Sequence, residues 1–175
     1  GNMQTRTDFN GDRITYAYDD NDRVTSVTYG KDNSVEAFTY DDLGNRLTAA
    51  HMLDSHTRTW TYTYDVMSRL KTETQPNGDQ LAYAYDVNGN KTELTITYAN
   101  GDIRIERFTY DALNRLKTVK DAAGNLTTYE YDAVGNRSKV THSNANITSY
   151  VYDELNRLTQ LQTQAQDDKV LQQFD

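Results

Sequence analysis

An aromatic residue, one spacer and then Tyr-Asp recurs seven times in this chain, and so regular a motif requires a fold built from equivalent units. The instances run Tyr16 to Asp19, Phe38 to Asp41, Tyr62 to Asp65, Tyr83 to Asp86, Phe108 to Asp111, Tyr129 to Asp132 and Tyr150 to Asp153. Successive Tyr-Asp pairs lie 22, 24, 21, 25, 21 and 21 residues apart, a period in the range of solenoids and repeated sheets.

Residues two apart share a face of a strand, and bulky rings favour the pleated, half-buried surface of a sheet. Each aromatic-x-Tyr segment therefore predicts a strand whose ring-bearing face is the packed one. The aspartate ends the strand and opens a turn. Asp41 to Gly44, Asp86 to Gly89 and Asp132 to Gly135 read Asp-x-x-Gly, while Asp22, Ser68, Asn114 and Asn156 replace the glycine elsewhere. Asp first and Gly or Asn fourth favour a type I turn followed by a left-handed residue, a hairpin end with a bulge. The chain must then return. Nine residues after each Tyr it carries Val27, Ala49, Glu73, Leu94, Val119, Val140 and Leu161, six of them apolar.

Between these marks the copies alternate. Odd copies read Arg23-Val24, Arg69-Leu70, Arg115-Leu116 and Arg157-Leu158; even copies read Asn45-Arg46, Asn90-Lys91 and Asn136-Arg137. Because the mark at nine stays fixed, the basic residue moves one place within a strand, which is expected to turn it to the other face. The predicted structural unit is a pair of copies.

Two turn signals per copy predict an all-β fold of about 14 strands, an antiparallel β-hairpin repeat array. The architectural alternative is a parallel β-helix solenoid, where tyrosines of adjacent rungs stack about 4.8 Å apart instead of about 10 Å. The second set of turns varies in length: Asp32-Asn33-Ser34, Asp54-Ser55-His56, Pro76-Asn77-Gly78, Asn100-Gly101, Ala123-Gly124-Asn125 and Asn144-Ala145-Asn146. The sole proline thus interrupts no ladder. The expected organisation is a single array over residues 1–175, with seven repeats at about 14–165 and a partial repeat at each end. Phe9 and Asn10-Gly11 read as the tail of a preceding copy. Phe174 reads as the aromatic of an eighth copy, with Asp175 as its spacer and the next Tyr expected one place beyond.

Composition narrows function. An apolar share of 36%, much of it tyrosine, implies an interior that is partly polar or incomplete. With no cysteine, disulfides, thiolate metal sites and cysteine nucleophiles are excluded. A formal charge of −8 repels a phosphate backbone, so no nucleic-acid partner is expected. No apolar run is long enough for membrane insertion by a helix, and residues 1–6 lack the apolar region of a signal peptide.

The segments Tyr110 to Leu116 (YDALNRL), Tyr152 to Leu158 (YDELNRL) and Tyr131 to Arg137 (YDAVGNR) resemble the YD-repeat, or Rhs-repeat, family. This family takes in bacterial Rhs polymorphic toxins, wall-associated proteins, the B and C components of insecticidal Tc toxins, and teneurins. The resemblance covers roughly residues 10–175 and implies a curved, open, spiralling antiparallel sheet that forms part of a hollow shell. In bacterial members the shell encloses a C-terminal toxic domain, so the implied partners are the remaining repeats and the C-terminal domain of the same polypeptide. A secreted or cell-surface location is implied by the resemblance alone. This sequence has neither the proline-containing core motif nor a toxin domain, so neither self-cleavage nor toxicity carries over.

Two readings of the repeated residues compete. Tyr18, Tyr40, Tyr64, Tyr85, Tyr110, Tyr131 and Tyr152 suit carbohydrate as aromatic faces beside polar groups, yet packing of the sheet accounts for rings that are alike in every copy. Asp19, Asp41, Asp65, Asp86, Asp111, Asp132 and Asp153 resemble catalytic carboxylates or calcium ligands, yet an aspartate opening a turn bonds the turn's own backbone. Arg23, Arg46, Arg69, Lys91, Arg115, Arg137 and Arg157 are expected to pair with these or neighbouring aspartates, and the glycines Gly44, Gly89 and Gly135 to shape the turns. His51, His56 and His142 lie in variable regions without metal-ligand spacing, and Trp60 reads as core. No catalytic residue, metal site or cofactor is assigned. The expected role is a non-enzymatic wall segment, with a carbohydrate-binding surface module as the rival. Unpaired edges make edge-mediated self-association an expected property.

Overall fold

The computed structural model describes residues 1–167 and 169–174, and its regular elements are all strands. The seven Tyr-Asp strands are β2 (Arg13–Tyr18), β4 (Val35–Tyr40), β6 (His56–Tyr64), β8 (Gln80–Tyr85), β10 (Ile103–Tyr110), β12 (Leu126–Tyr131) and β14 (Ile147–Tyr152). Each is followed by a return strand: β3 (Val24–Tyr29), β5 (Arg46–Leu53), β7 (Leu70–Thr74), β9 (Lys91–Thr97), β11 (Leu116–Lys120), β13 (Arg137–Thr141) and β15 (Leu158–Gln164). Two more flank them, β1 (Thr5–Thr7) and β16 (Val170–Phe174), so the count is 16 instead of about 14. The sheet order is the chain order, with β1 and β16 at its ends. Every described pairing is antiparallel, so the hairpin array holds and the parallel β-helix does not.

Contacts divide the chain into two compact units, Gly1–Tyr83 with Ile96–Ile103, and Ala84–Thr95 with Arg104–Asp175. In the first, Tyr16 stands opposite Val27, Phe38 opposite Ala49 and Tyr62 opposite Glu73. In the second, Phe108 stands opposite Val119, Tyr129 opposite Val140 and Tyr150 opposite Leu161. In these six copies the mark nine residues after the Tyr is thus the direct cross-strand partner of the copy's first ring, which is why its position does not shift.

Alternation along each Tyr-Asp strand separates the faces. All fourteen rings of the motif are half-buried and all seven spacers are exposed. On the spacer face, Thr39 bonds Thr48, Thr63 bonds Thr72 and Thr109 bonds Thr118, each at 2.6 to 2.7 Å. Glu130 meets Lys139 at the same place in its copy. Among the described residues Val27 and Val140 are the only buried hydrophobic side chains, and no large side chain is fully buried. No helix covers either face among those residues, so the rings are shielded by their neighbours along the sheet and not by a second layer. Trp60, expected in the core, is half-buried opposite Ala49.

The C-terminal end, not the N-terminal one, departs from expectation. Phe9 is fully exposed at a turn in which the Asp8 carboxylate accepts from the backbone N–H of Asn10 and of Asp12. Phe174 stands opposite Leu161, where Val27 faces Glu36 and Val119 faces Thr127, two places before the first ring. It therefore does not fill the aromatic position, because the β15–β16 register is set two residues short of it. Asp175, read as the spacer, lies outside the described residues.

The variable hairpin ends accept left-handed residues: Gly78, Gly101 and Gly124, but also Asn33, Asp54 and Ala145. Gly30 is required for another reason, since its N–H bonds the Arg13 carbonyl at 2.7 Å and an added Cβ would stand 2.8 Å from that oxygen. The obstacle is backbone within a paired strand, so it cannot swing away. Gly30→Ala should destabilise the fold by about 1–3 kcal/mol, read as a lower denaturant midpoint at unchanged m-value. An unaltered midpoint would show that β2 and β3 separate freely there.

Candidate functional site

The turn after each Tyr-Asp pair is a closed hydrogen-bonded corner. At Asp19 the backbone N–H bonds the Arg23 carbonyl at 2.9 Å, and the Asp22 N–H returns to the Asp19 carbonyl at 3.0 Å. One carboxylate oxygen, Oδ1, accepts from the N–H of Asn21 and of Arg23 at 3.0 and 2.9 Å. The same bonds recur at Asp41, Asp65, Asp86, Asp111, Asp132 and Asp153. Left-handed backbone at the fourth turn position closes each corner, on Gly44, Gly89 and Gly135 or on Asp22, Ser68, Asn114 and Asn156. Glycine adopts it freely and Asn or Asp more readily than other side chains. A register shift between spacer and Tyr marks the accompanying bulge.

The second carboxylate oxygen distinguishes the copies. Oδ2 accepts from Arg Nε at 2.7 Å in the pairs Asp19–Arg23, Asp65–Arg69, Asp111–Arg115 and Asp153–Arg157. In the others Asn45, Asn90 and Asn136 donate from Nδ2 at 2.9 to 3.0 Å. Arginine and asparagine therefore do one task at one position. Arg46 and Arg137, expected to pair with aspartates, lie instead over the first ring of the next copy, Tyr62 at 4.9 Å and Tyr150 at 4.6 Å, and Lys91 lies over Phe108 at 4.9 Å. Arg23 and Arg115 lie over the second ring, Tyr40 at 4.8 Å and Tyr131 at 4.5 Å. The one-place move thus changes which ring is covered and does not send the cation to the opposite face, because the bulged corner separates the two positions.

The tyrosine hydroxyls were not legible as contacts. Tyr18 donates to the Met3 carbonyl, Tyr40 to Val24, Tyr64 to Arg46, Tyr110 to Lys91, Tyr131 to Leu116 and Tyr152 to Arg137, at 2.8 to 3.1 Å. In the full copies the acceptor is the residue six after the preceding Tyr, at the head of the return strand. The motif's tyrosine thereby ties its own copy to the one before. The signal in the sequence was the invariance of the second aromatic as Tyr, whereas the first is Tyr or Phe.

Electrostatics follow from this bonding. The backbone N–H of Arg23 above all, and then its side chain, hold Asp19 below the ordinary carboxylate value against a desolvation that opposes it. The Asn45 side chain does the same for Asp41 and the Arg115 backbone N–H for Asp111. Burial raises Tyr64 and Tyr110 above the ordinary phenol value. Carboxylates so stabilised in the ionised form lack the proton affinity of a general acid near neutrality.

The first unit also holds an open depression of about 260 Å³ lined by Asp8, Asp12, Tyr29, Asp32, Glu36 and His51. Burial first, and then the Glu36 charge, raises Tyr29; Ser34 lowers Asp32. No group of three metal-ligating side chains forms among the described residues. His142 bonds Thr148 in another hairpin.

Comparisons with known proteins follow the same lines. The family model described as Teneurin YD-shell matches residues 3–97, and that described as RHS Repeat matches residues 110–147. No curated protein matches. Among solved structures, the crystal structure of TcdB2-TccC3-TEV superposes with a TM-score of 0.64 at 18% identity over 99% of this chain and 11% of that one. TcdB2-TccC3 without its hypervariable C-terminal region gives 0.65 at 17% identity, and the Photorhabdus luminescens Tc holotoxin pore, with TccC3 carrying D651A, gives 0.62 at 18%, both with the same coverages. The chain thus spans about a tenth of the proteins whose fold it shares.

Tyr110→Phe removes the bond to the Lys91 carbonyl and nothing else, so it should cost about 0.5–1.5 kcal/mol, lowering Tm by roughly 2–4 °C per kcal/mol. Thr109→Ser on the exposed face is the control. An undiminished Tm in Tyr110→Phe would mean the hydroxyl contact adds nothing to stability.

Stability should also fall at both pH extremes. The lowered aspartates stabilise the fold above their ordinary 3.8, and that contribution disappears as pH falls through their depressed folded values. The raised tyrosines stabilise it below their ordinary 10.0, and that contribution disappears as pH rises through their elevated folded values. Thermal melts across pH should therefore show a plateau with an acid and an alkaline flank, and a missing acid flank would count against the corner bonds.

Proposed function

The chain belongs to the Teneurin YD-shell family, and on that footing we propose that it is a non-enzymatic structural segment of a larger secreted or surface YD-repeat protein. Its role is to form part of a β-shell that encloses or presents a C-terminal domain of the same polypeptide.

The observation that supports this reading is where the repeated polar groups point. The hydroxyls of Tyr18, Tyr40, Tyr64, Tyr110, Tyr131 and Tyr152, the corner carboxylates and the basic side chains of the motif are engaged within or between neighbouring copies, as at Tyr40, Asp41 and Arg23. A scaffold engages its repeated groups in this way, whereas a catalytic or binding site leaves some aimed at a ligand. The carbohydrate reading loses its main support for the same reason, since the rings of Tyr40, Tyr62, Phe108, Tyr131 and Tyr150 already lie beneath cations.

A wall has an inside and an outside, and the absence of native cysteine makes this measurable. Arg58 pairs with His51 on the ring-bearing face and Thr61 pairs with Thr48 on the spacer face, both exposed in the chain by itself. Arg58→Cys and Thr61→Cys should react alike with a soluble maleimide in this chain. In a longer polypeptide that carries it as a wall, only one of the two should keep its rate, the other slowing at least tenfold. Equal rates in that setting, or saturable binding on a glycan array, would overturn the proposal.

A further inference from the structure

The corners are of two kinds, and their lateral contacts distinguish them. In the arginine kind, Asp19, Asp65, Asp111 and Asp153 hold Arg23, Arg69, Arg115 and Arg157, and the left-handed residue keeps a side chain. In the asparagine kind, Asp41, Asp86 and Asp132 hold Asn45, Asn90 and Asn136, and the left-handed residue is glycine.

Each kind addresses the other. An asparagine amide reaches the left-handed side chain of the next corner: Asn45 to Ser68 Oγ at 3.2 Å, Asn90 to Asn114 Oδ1 at 2.8 Å and Asn136 to Asn156 Oδ1 at 2.9 Å. Asn2 does the same to Asp22 at 2.6 Å, so the first arginine corner also has an asparagine on its upstream side. In the other direction Arg23 donates from Nη1 to the Asp41 carbonyl at 2.8 Å and covers the Tyr40 ring, as Arg115 covers Tyr131. The glycine of the asparagine corner serves its left-handed backbone, since a Cβ on Gly44 would make only ordinary contact with Arg23 Nη1 at 4.0 Å and one on Gly135 would meet nothing.

Arg157 has only half of this arrangement. It pairs through Nε with Asp153, yet its side chain is 73% exposed, against 26% for Arg23 and 28% for Arg115. Among the described residues no ring lies beneath it. We infer that the Asp153–Arg157 corner is a docking surface for one further Tyr-Asp corner of the asparagine kind. Such a corner supplies a backbone carbonyl for the guanidinium, as Asp41 does for Arg23, and a tyrosine face beneath it, as Tyr40 and Tyr131 do for Arg23 and Arg115. Continuity with the contacts of Arg23 and Arg115 selects this occupant over a second arginine corner, whose left-handed side chain has no amide to meet it.

The inference rests on the chain being a segment of a longer array, and its test is separate from the labelling of the two faces. Because Phe174 stands opposite Leu161 as Thr127 stands opposite Val119, a copy of residues 129–141 placed after Asp175 adds an asparagine corner in register. A copy of residues 150–162 adds an arginine corner of equal length. With Arg157 intact, the asparagine extension should melt about 2–4 °C above the arginine extension, and Arg157→Ala should abolish the difference. Equal melting, a difference that survives Arg157→Ala, or no gain over the parent chain from either extension would overturn the inference. So would loss of β-sheet circular dichroism in the asparagine extension alone.

Discussion

The contact on which the rest depends is the tyrosine hydroxyl bonded to a carbonyl of the preceding copy. A sheet with no second layer cannot bury its rings deeply, and here only two aliphatic side chains are buried among the described residues. Cohesion must then come from groups that reach sideways. The hydroxyl of Tyr131 on the Leu116 carbonyl, with the Arg115 guanidinium over the same ring, joins two copies by a hydrogen bond and a cation–π contact at one residue. Each term is small, but the array repeats it, and stability in such a chain is close to a sum over nearest neighbours.

The corner aspartate explains why the tyrosine arrives in the right place. By accepting two backbone N–H groups and one side chain, Asp132 fixes the turn and bulge that end β12, and so fixes where Tyr131 points. Tyr and Asp are adjacent because one sets the geometry that the other uses. The alternation of arginine and asparagine is a second layer of the same device. It preserves the bond to Oδ2 within a corner while assigning each corner a different lateral partner, Asp41 for Arg23 and Ser68 for Asn45.

Most of the fold was legible. Ring, spacer, Tyr-Asp and a turn residue four places on specify a hairpin with a bulge from local chemistry alone, and the apolar mark at nine is the cross-strand partner of the first ring, as Val27 is of Tyr16 and Val140 of Tyr129. The faces of the basic residues were misjudged because strict alternation by two fails across a bulge, so Arg23 and Arg46 both reach rings of the next copy. Phe174 was misplaced because the last hairpin lacks a motif of its own to fix its register.

The sequence by itself determined the period, the antiparallel hairpins and the two kinds of corner, since each follows from residues within one copy whose bonds are short in range. What only the tertiary structure decided is how one copy addresses the next: the carbonyl each tyrosine finds, the ring each cation covers and the left-handed side chain each asparagine meets. Those contacts join residues 13 to 24 positions apart through the pairing of an intervening return strand. Their partners are fixed by strand register and bulge geometry, which no single copy contains.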